Sequence, residues 1–535
     1  MKRFFVAVVV GAFILTGCGS LPKDNAEVVQ EMRRVEAGEL VSADISLASD
    51  SISHTVLYNS YEGLYRFGEG NELMPAGAVK RAEISEDGLV YTLRLNDKAT
   101  WSDGKPVTAD DYVFSWRRTV NPKTASEYSA MFSPVKNAKK IMSEELDVDE
   151  LGITAKSDYD LVIELETATP YFESLLALPN FFPQREDIVE KYGDDYTKTA
   201  DKAVYNGAFR LSNYDLSSGG ATEWTFVKND HYWDKKNVHM DKIENIAVKD
   251  AGTAFAMYEK GEVDETYLFG EYVAQNINSE EAITIVKPST YYIQYNMENE
   301  ILSRDTVRAA LASATNREAI AEKILANGSQ AIESYVPRNV YYNAATHEDF
   351  VDTVELEDDS GAIKTWDTLN LGRSLELELL IPDDDGIKKI AEYLQEEYQK
   401  QLDGLTVKVT PVPAQVYMER VTSGDFDMII FGWKADYPDA TTFLNNLSTD
   451  NPFNFGKYTN ETYDKLLSQV NDDGVMSEEA RWDKLLQANN IMLNDQPLTP
   501  IFQQVVVTIR NTSFLNIYSR SFGTNFDFKE TMRVS

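Results

Sequence analysis

Residues 432–439 read Gly432-Trp433-Lys434-Ala435-Asp436-Tyr437-Pro438-Asp439, which places a glycine, broad aromatic rings, a cation and two acids within eight positions. A carboxylate in such a setting can be the counter-charge for an ammonium group, because a charge-assisted hydrogen bond contributes about 1.5–3 kcal/mol when partly desolvated. Asp436 reads equally as a solvated loop acid, and Trp433 equally as core or as a platform for a ligand. Asp436 and Asp439 are also the residue types that glycoside cleavage uses in pairs, although acid pairs at this spacing are common.

Other reactive patterns are missing. The chain has no His-Glu-x-x-His, no phosphate-cradling Gly-x-x-x-x-Gly-Lys and no Gly-x-Ser-x-Gly. Its four histidines, His54, His231, His239 and His347, are scattered, and His231 and His239 are too far apart for one helical face. Asp383-Asp384-Asp385-Gly386 departs from a calcium loop, since Ile381 stands where an EF-hand ending at Glu392 needs its first ligand. It reads instead as the N-terminal turn of a helix. Cys18 is the only cysteine, so no disulfide forms within the chain. No metal, cofactor or enzymatic activity is expected.

The elements that must position residues 432–439 lie just before them. Leu375, Leu377 and Leu379 alternate, Ile387, Ile390, Ala391 and Leu394 follow helical spacing, and Leu405, Val407 and Val409 alternate again. A second helix fits 415–422, and Met428-Ile429-Ile430-Phe431 is the continuous apolar run of a strand buried on both faces. Residues 375–433 therefore predict βαβαβ. In an open α/β sheet, ligands bind beyond the carboxyl ends of the strands, which makes the residues after Phe431 candidates. Earlier, Leu89, Tyr91, Leu93 and Leu95 alternate as a half-buried strand. Trp101-Ser102-Asp103-Gly104-Lys105-Pro106 supplies a turn, and Thr108 with Asp111 predicts a helix start before Tyr112.

A length of 535 residues implies three or four folding units, and 43% hydrophobic with 26% charged residues is the composition of a globular chain. With 87 acidic against 51 basic residues the formal charge is −36, which repels phosphate backbones and excludes nucleic acid as a partner. The acidic stretches 144–150 and 355–360 read as exposed loops. Lys2 and Arg3 precede an apolar run over 4–15, too short to span a bilayer and laid out as an export signal. Leu15-Thr16-Gly17-Cys18 resembles a bacterial lipobox, so 1–17 is expected to be removed, Cys18 lipidated, and 18–39 to act as a tether. No later segment predicts a transmembrane helix.

The ordered series of motifs resembles the extracellular solute-binding protein family 5, specifically the oligopeptide-binding lipoproteins of ABC importers. It comprises Tyr61-Glu62-Gly63-Leu64-Tyr65, Tyr91-Thr92-Leu93-Arg94-Leu95, Trp101-Ser102-Asp103-Gly104-Lys105-Pro106-Val107-Thr108-Ala109-Asp110-Asp111 and Pro170-Tyr171-Phe172. It continues with Asn206-Gly207-Ala208-Phe209, Asn229-Asp230-His231-Tyr232-Trp233, Gly261-Glu262-Val263-Asp264, Arg308-Ala309-Ala310 leading into Asn316-Arg317, and Gly424-Asp425-Phe426-Asp427. Gly432-Trp433-Lys434-Ala435-Asp436-Tyr437 closes the series.

The resemblance implies an α/β, periplasmic-binding-protein-like fold (type II, cluster C) with two main lobes joined by a hinge and an extra inserted lobe. Residues 40–61, 184–289 and 490–535 would form lobe I, 62–183 the extra lobe II, and 290–489 lobe III, with the hinge at the crossings near 289 and 490. It further implies a peptide held by its main chain. Asp436 would pair with the α-ammonium, Gly432, Trp433 and Lys434 would form the adjoining strand, Tyr128 would reach in from the extra lobe and Tyr292 from the hinge region. Val421, Ile430 and Ile387 stand where some members carry Arg or His for the ligand carboxylate, and Ser49 replaces an acid of some relatives. The implied partners are an oligopeptide, the membrane subunits of an ABC transporter and a membrane reached through the lipid anchor. A monomer on the extracellular face of a Gram-positive type cell is expected. Alternatives are a peptide-pheromone receptor, a relative that binds a nickel complex, haem or an oligosaccharide, and, remotely, a surface hydrolase using Asp436 and Asp439.

Overall fold

The computed structural model describes residues 28–68, 72–343, 345–354, 361–369, 375–449, 451–472 and 476–535. The leader over 1–17, Cys18, the first part of the tether and the acidic stretch 355–360 lie outside the described residues.

One mixed sheet organises the molecule. Its strands are β1 (Glu31–Glu36), β2 (Phe209–Ser212), β3 (Glu223–Lys228), β4 (Lys242–Ala247), β5 (Glu265–Leu268), β6 (Ala282–Tyr295), β7 (Leu375–Pro382), β8 (Leu405–Val412), β9 (Met428–Lys434) and β10 (Leu498–Arg510). They lie in the order β8-β7-β9-β6-β10-β5-β1-β4-β3-β2, and the two-residue strand Gln330–Ala331 pairs with β10 off that path. Among the described residues the halves of the sheet join only through β6 and β10, which pair with each other over most of their length. Val286 of β6 lies opposite Val505 of β10, then the register shifts before Thr290 opposite Gln503. A second shift follows between Tyr291 and Tyr292, and breaks in the ladder of two long strands concentrate bending in this stretch.

The βαβαβ unit predicted over 375–433 is present. Parallel β7, β8 and β9 are joined by α3 (Asp385–Gln401) and α4 (Ala414–Ser423), following α1 (Ser51–Ser60) and α2 (Ala109–Val120) earlier in the chain. β9 is apolar without alternation because both faces are covered. Met428 and Ile430 pack with Leu379, Ile390 and Leu394, while Ile429 packs with Tyr417 and Val421. Asp384 caps α3, accepting from the N–H groups of Gly386 and Ile387 at 2.9 Å each, as the turn reading of that acidic run expected.

A separate four-stranded antiparallel sheet, ordered Glu83–Ile84, Val90–Arg94, Asp160–Glu164 and Ile153–Ser157, carries the alternating strand read around Tyr91. α2 begins where Thr108 and Asp111 placed it, with the Thr108 N–H donating to the Asp111 carboxylate at 2.8 Å. Among the described residues no helix is long and apolar enough to cross a membrane.

Candidate functional site

β9 runs past its neighbour. It pairs with β7 only at Met428 and Ile429, whereas its opposite edge pairs with β6 from Met428 to Lys434. The phase of that ladder follows from the Ala435 N–H, which donates to the Pro288 carbonyl at 2.8 Å. Because successive residues of a strand point their N–H and C=O to opposite edges, those of Gly432 and Lys434 face away from β6. The Ile430 carbonyl on that free edge is occupied by the Tyr417 hydroxyl at 2.6 Å. Beyond it, no strand among the described residues pairs with the edge.

This edge ends in a cleft. Its central cavity is lined among others by Ser51, His54, Tyr128, Lys434, Asp436 and Asn525, from four distant parts of the chain. Through Asp436 it adjoins a space bordered by Tyr171, Tyr437 and Arg481. Through Lys434, Ser51 and Asn525 it adjoins another bordered by Lys287 and Tyr267. The result is an elongated trough with two opposite charges along one wall.

Asp436 is exposed to the solvent in the cleft yet walled by protein on several sides. Desolvation raises its carboxyl to about 6, and Lys434 pulls in the other direction. Its backbone is held by the Thr442 hydroxyl, which accepts from the Asp436 N–H at 3.1 Å. Burial lowers Lys434, with Asp436 opposing. Tyr128 is pushed up to about 12 by burial and then by the Asp436 charge, so it stays a neutral phenol beside the acid. His54 packs edge-on to Tyr128, ring centroids 5.1 Å apart. Burial holds it down at about 4, and its Nε2 lies 3.2 Å from the Ala48 carbonyl, as a neutral ring donating there.

Asp439 has a different place. It is buried, and its two oxygens accept from Arg481 at 2.8 and 2.9 Å while Oδ1 also accepts from the Thr441 N–H and hydroxyl. Saturated in this way, Asp439 braces the loop and is no free partner for Asp436 in acid chemistry. Two residues before it, Tyr437 stacks on Tyr171 with centroids 4.1 Å apart and planes 10° from parallel, a contact across the cleft between distant segments.

The six residues expected at a ligand separate into groups. Asp436, Lys434 and Tyr128 meet around one cavity. Gly432 lies on the open strand edge, where a Cβ would stand 2.8 Å from the Tyr291 ring. Trp433 turns to the other face of β9 and packs edge-on to Phe453 at 4.9 Å, outside the central cavity. Tyr292, expected to reach the ligand from the hinge region, is buried between Tyr335 and Phe431 in the core, because its side of β6 faces the interior. Val421, Ile430 and Ile387 likewise belong to apolar clusters and offer no charge to a carboxylate. His54, Ser51, Asn525 and Lys287 were not legible as site residues: each is brought in by tertiary folding with no motif around it. Among the described residues no three His, Cys, Asp or Glu side chains converge as metal ligands.

A hinged mixed α/β sheet with a trough at the carboxyl end of a strand is the architecture of a type II periplasmic-binding-protein-like solute binder, and the solved structures agree. The OppA of Listeria monocytogenes bound to peptide is 34% identical, with TM-score 0.76, covering 95% of this chain and 100% of that one. The pheromone receptor PrgZ is 37% identical, with TM-score 0.77 and the same coverage. More particularly, residues 72–455 match the family model for bacterial extracellular solute-binding proteins, family 5, and the chain belongs to that family. A curated relative, the dipeptide-binding protein of Lactococcus lactis subsp. cremoris, is 31% identical over 545 aligned residues, spanning 98% of this chain and 97% of the relative.

Proposed function

We propose that this chain captures oligopeptides outside the cell and hands them to an ABC importer. The observation that carries this reading is the free edge of β9, with the main-chain groups of Gly432 and Lys434 turned outward and Asp436 at its end in the trough. An extended peptide adding to that edge gains main-chain hydrogen bonds whatever its side chains are, and Asp436 fixes its ammonium end. The ligand contacts elements on both sides of the trough, so it binds the closed arrangement more tightly and shifts the population towards it. The lobe division is 40–61, 184–289 and 490–535 against 290–489, with 62–183 as the extra lobe. The break in the ladder at Val286–Thr290 supports the crossing near 289, whereas on β10 it falls at Gln503–Val505, past the boundary at 490.

The remaining parts of the proposal rest on sequence. Cys18 in Leu15-Thr16-Gly17-Cys18 carries the lipid that holds a monomer at the extracellular face of the membrane, and ATP hydrolysis belongs to other subunits. A second reading, favoured by the 37% identity to the pheromone receptor PrgZ, is capture of one dedicated signalling peptide. Native mass spectrometry of gently purified protein tests both. A ladder of peptide masses supports broad uptake and one dominant peptide supports the receptor. A metal complex, a sugar, or an empty protein indifferent to added peptides overturns the peptide reading.

A further inference from the structure

The cavity beside the central one is bordered by Arg34, Glu36, Glu265, Tyr267, Lys287 and Lys434, among others. Its carboxylates are already engaged. Glu265 accepts from the Arg34 Nε at 2.7 Å and is also paired with Arg510, and Glu36 accepts from Arg34 at 2.9 Å. The lysines are not. Among the described residues neither Lys287 nor Lys434 has a carboxylate oxygen within 4.0 Å, and Lys287 donates only to the neutral Asn525 amide, at 2.8 Å. Lys434 stands opposite Ser289 in the β6–β9 register and Lys287 is two residues from Ser289, so both project into one cavity. Holding two ammonium groups near one another, with their nearest acids Asp436 and Glu36 acting only from beyond 4.0 Å, is unfavourable until an anion arrives.

We propose that Lys287 and Lys434 form a carboxylate subsite that receives the acid group on the second residue of a bound peptide, either an Asp or Glu side chain or the terminal carboxylate of a dipeptide. The inference rests on the peptide reading above and adds a ligand chemistry to it. Its spacing is geometric. Asp436 and Lys434 are two residues apart, about 7 Å along an extended chain. That is also the reach from the ammonium to an acid carried by residue two of an extended peptide. Lys287 is poised to respond: burial first, and Lys434 second, lower it to about 7, with Glu36 opposing. An arriving carboxylate therefore draws a proton onto it.

Isothermal titration calorimetry on the purified full chain tests this with two matched pairs, Ala-Glu-Ala-Ala against Ala-Gln-Ala-Ala and Ala-Ala against its C-terminal amide. The expected result is that the acidic member of at least one pair binds about ten-fold more tightly or better. Its enthalpy at pH 8 should change with the ionisation heat of the buffer, which reports proton uptake. Lys287→Met and Lys434→Met, which keep the aliphatic stems, should each erase the preference, and Lys287→Met should also abolish the proton uptake. A preference in the first pair alone assigns the side-chain source, and in the second alone the terminal one. Peptides that bind with no preference, or a preference that survives both substitutions, overturn the lysine subsite while leaving the peptide reading intact. Failure of all four peptides to bind overturns both.

Discussion

Replacing Asp436 by Asn removes the counter-charge and leaves the shape of the cleft. A charge-assisted hydrogen bond of about 1.5–3 kcal/mol, at about 1.4 kcal/mol per decade, predicts a loss of about 12- to 150-fold in affinity for free-amine peptides. N-acetylated peptides, which lack the ammonium, should lose little. The acid also predicts a pH profile. Its carboxyl titrates at about 6 in the ligand-free protein because desolvation outweighs Lys434, and only the ionised form attracts an ammonium. About nine-tenths is ionised at pH 7 and about one-tenth at pH 5, so wild-type affinity for free-amine peptides should fall about ten-fold across that interval, and the Asn variant should not follow. Stability moves the other way. Between the unfolded value near 4 and the folded value of about 6 the folded protein holds the extra proton, so this group lowers stability as pH rises through that window. The ligand-free Asn variant should therefore melt no lower than wild type at pH 7. Titration calorimetry from pH 5 to 7.5 with a peptide and its N-acetyl form decides the matter. Equal losses for both ligands, or a wild-type affinity flat with pH, refutes the assignment.

Three further substitutions probe the supports of the site. Arg481→Met leaves Asp439 buried and unpaired, since Arg481 supplies both charged contacts at 2.8 and 2.9 Å. It should cost about 3–5 kcal/mol in urea unfolding, and a loss below 1 kcal/mol would contradict the structural role of the pair. Gly432→Val puts a branched side chain where even a Cβ stands 2.8 Å from the Tyr291 ring, which is itself stacked on Phe502 at 4.7 Å. Thermal unfolding should register about 1–3 kcal/mol of overpacking, and calorimetry a weakened peptide. Tyr171→Ala removes the 4.1 Å stack with Tyr437 across the cleft. At about 0.5–1.5 kcal/mol per aromatic pair, peptide affinity should drop about two- to ten-fold, chiefly through faster dissociation in a stopped-flow chase.

Much of the scaffold was legible because it is written in local periodicity. A strand buried on both faces must be apolar throughout, so Met428-Ile429-Ile430 announced β9, and the Thr108 and Asp111 pattern announced the start of α2. The position of Asp436 just past that apolar run places it at a sheet's carboxyl end from the sequence alone. Tyr292 shows the limit: whether a strand residue faces a cleft or a core depends on which layer packs against each face, and here Tyr335 and Phe431 enclose it.

By itself the sequence determined the βαβαβ unit over 375–433, the strand around Tyr91, the start of α2, the acidic composition, the family motifs and the chemical type of the candidate site residue Asp436. The tertiary structure alone decided which groups share space with Asp436. His54 and Asn525 lie far from it in sequence on opposite sides, and Lys287 meets Lys434 only because β6 pairs with β9. It also decided that Asp439, three residues from Asp436, serves Arg481 instead of the cleft. The reason is physical: periodicity reports the face of an element that is buried, whereas charge pairing and desolvation depend on neighbours that only the folded chain brings within a few ångströms.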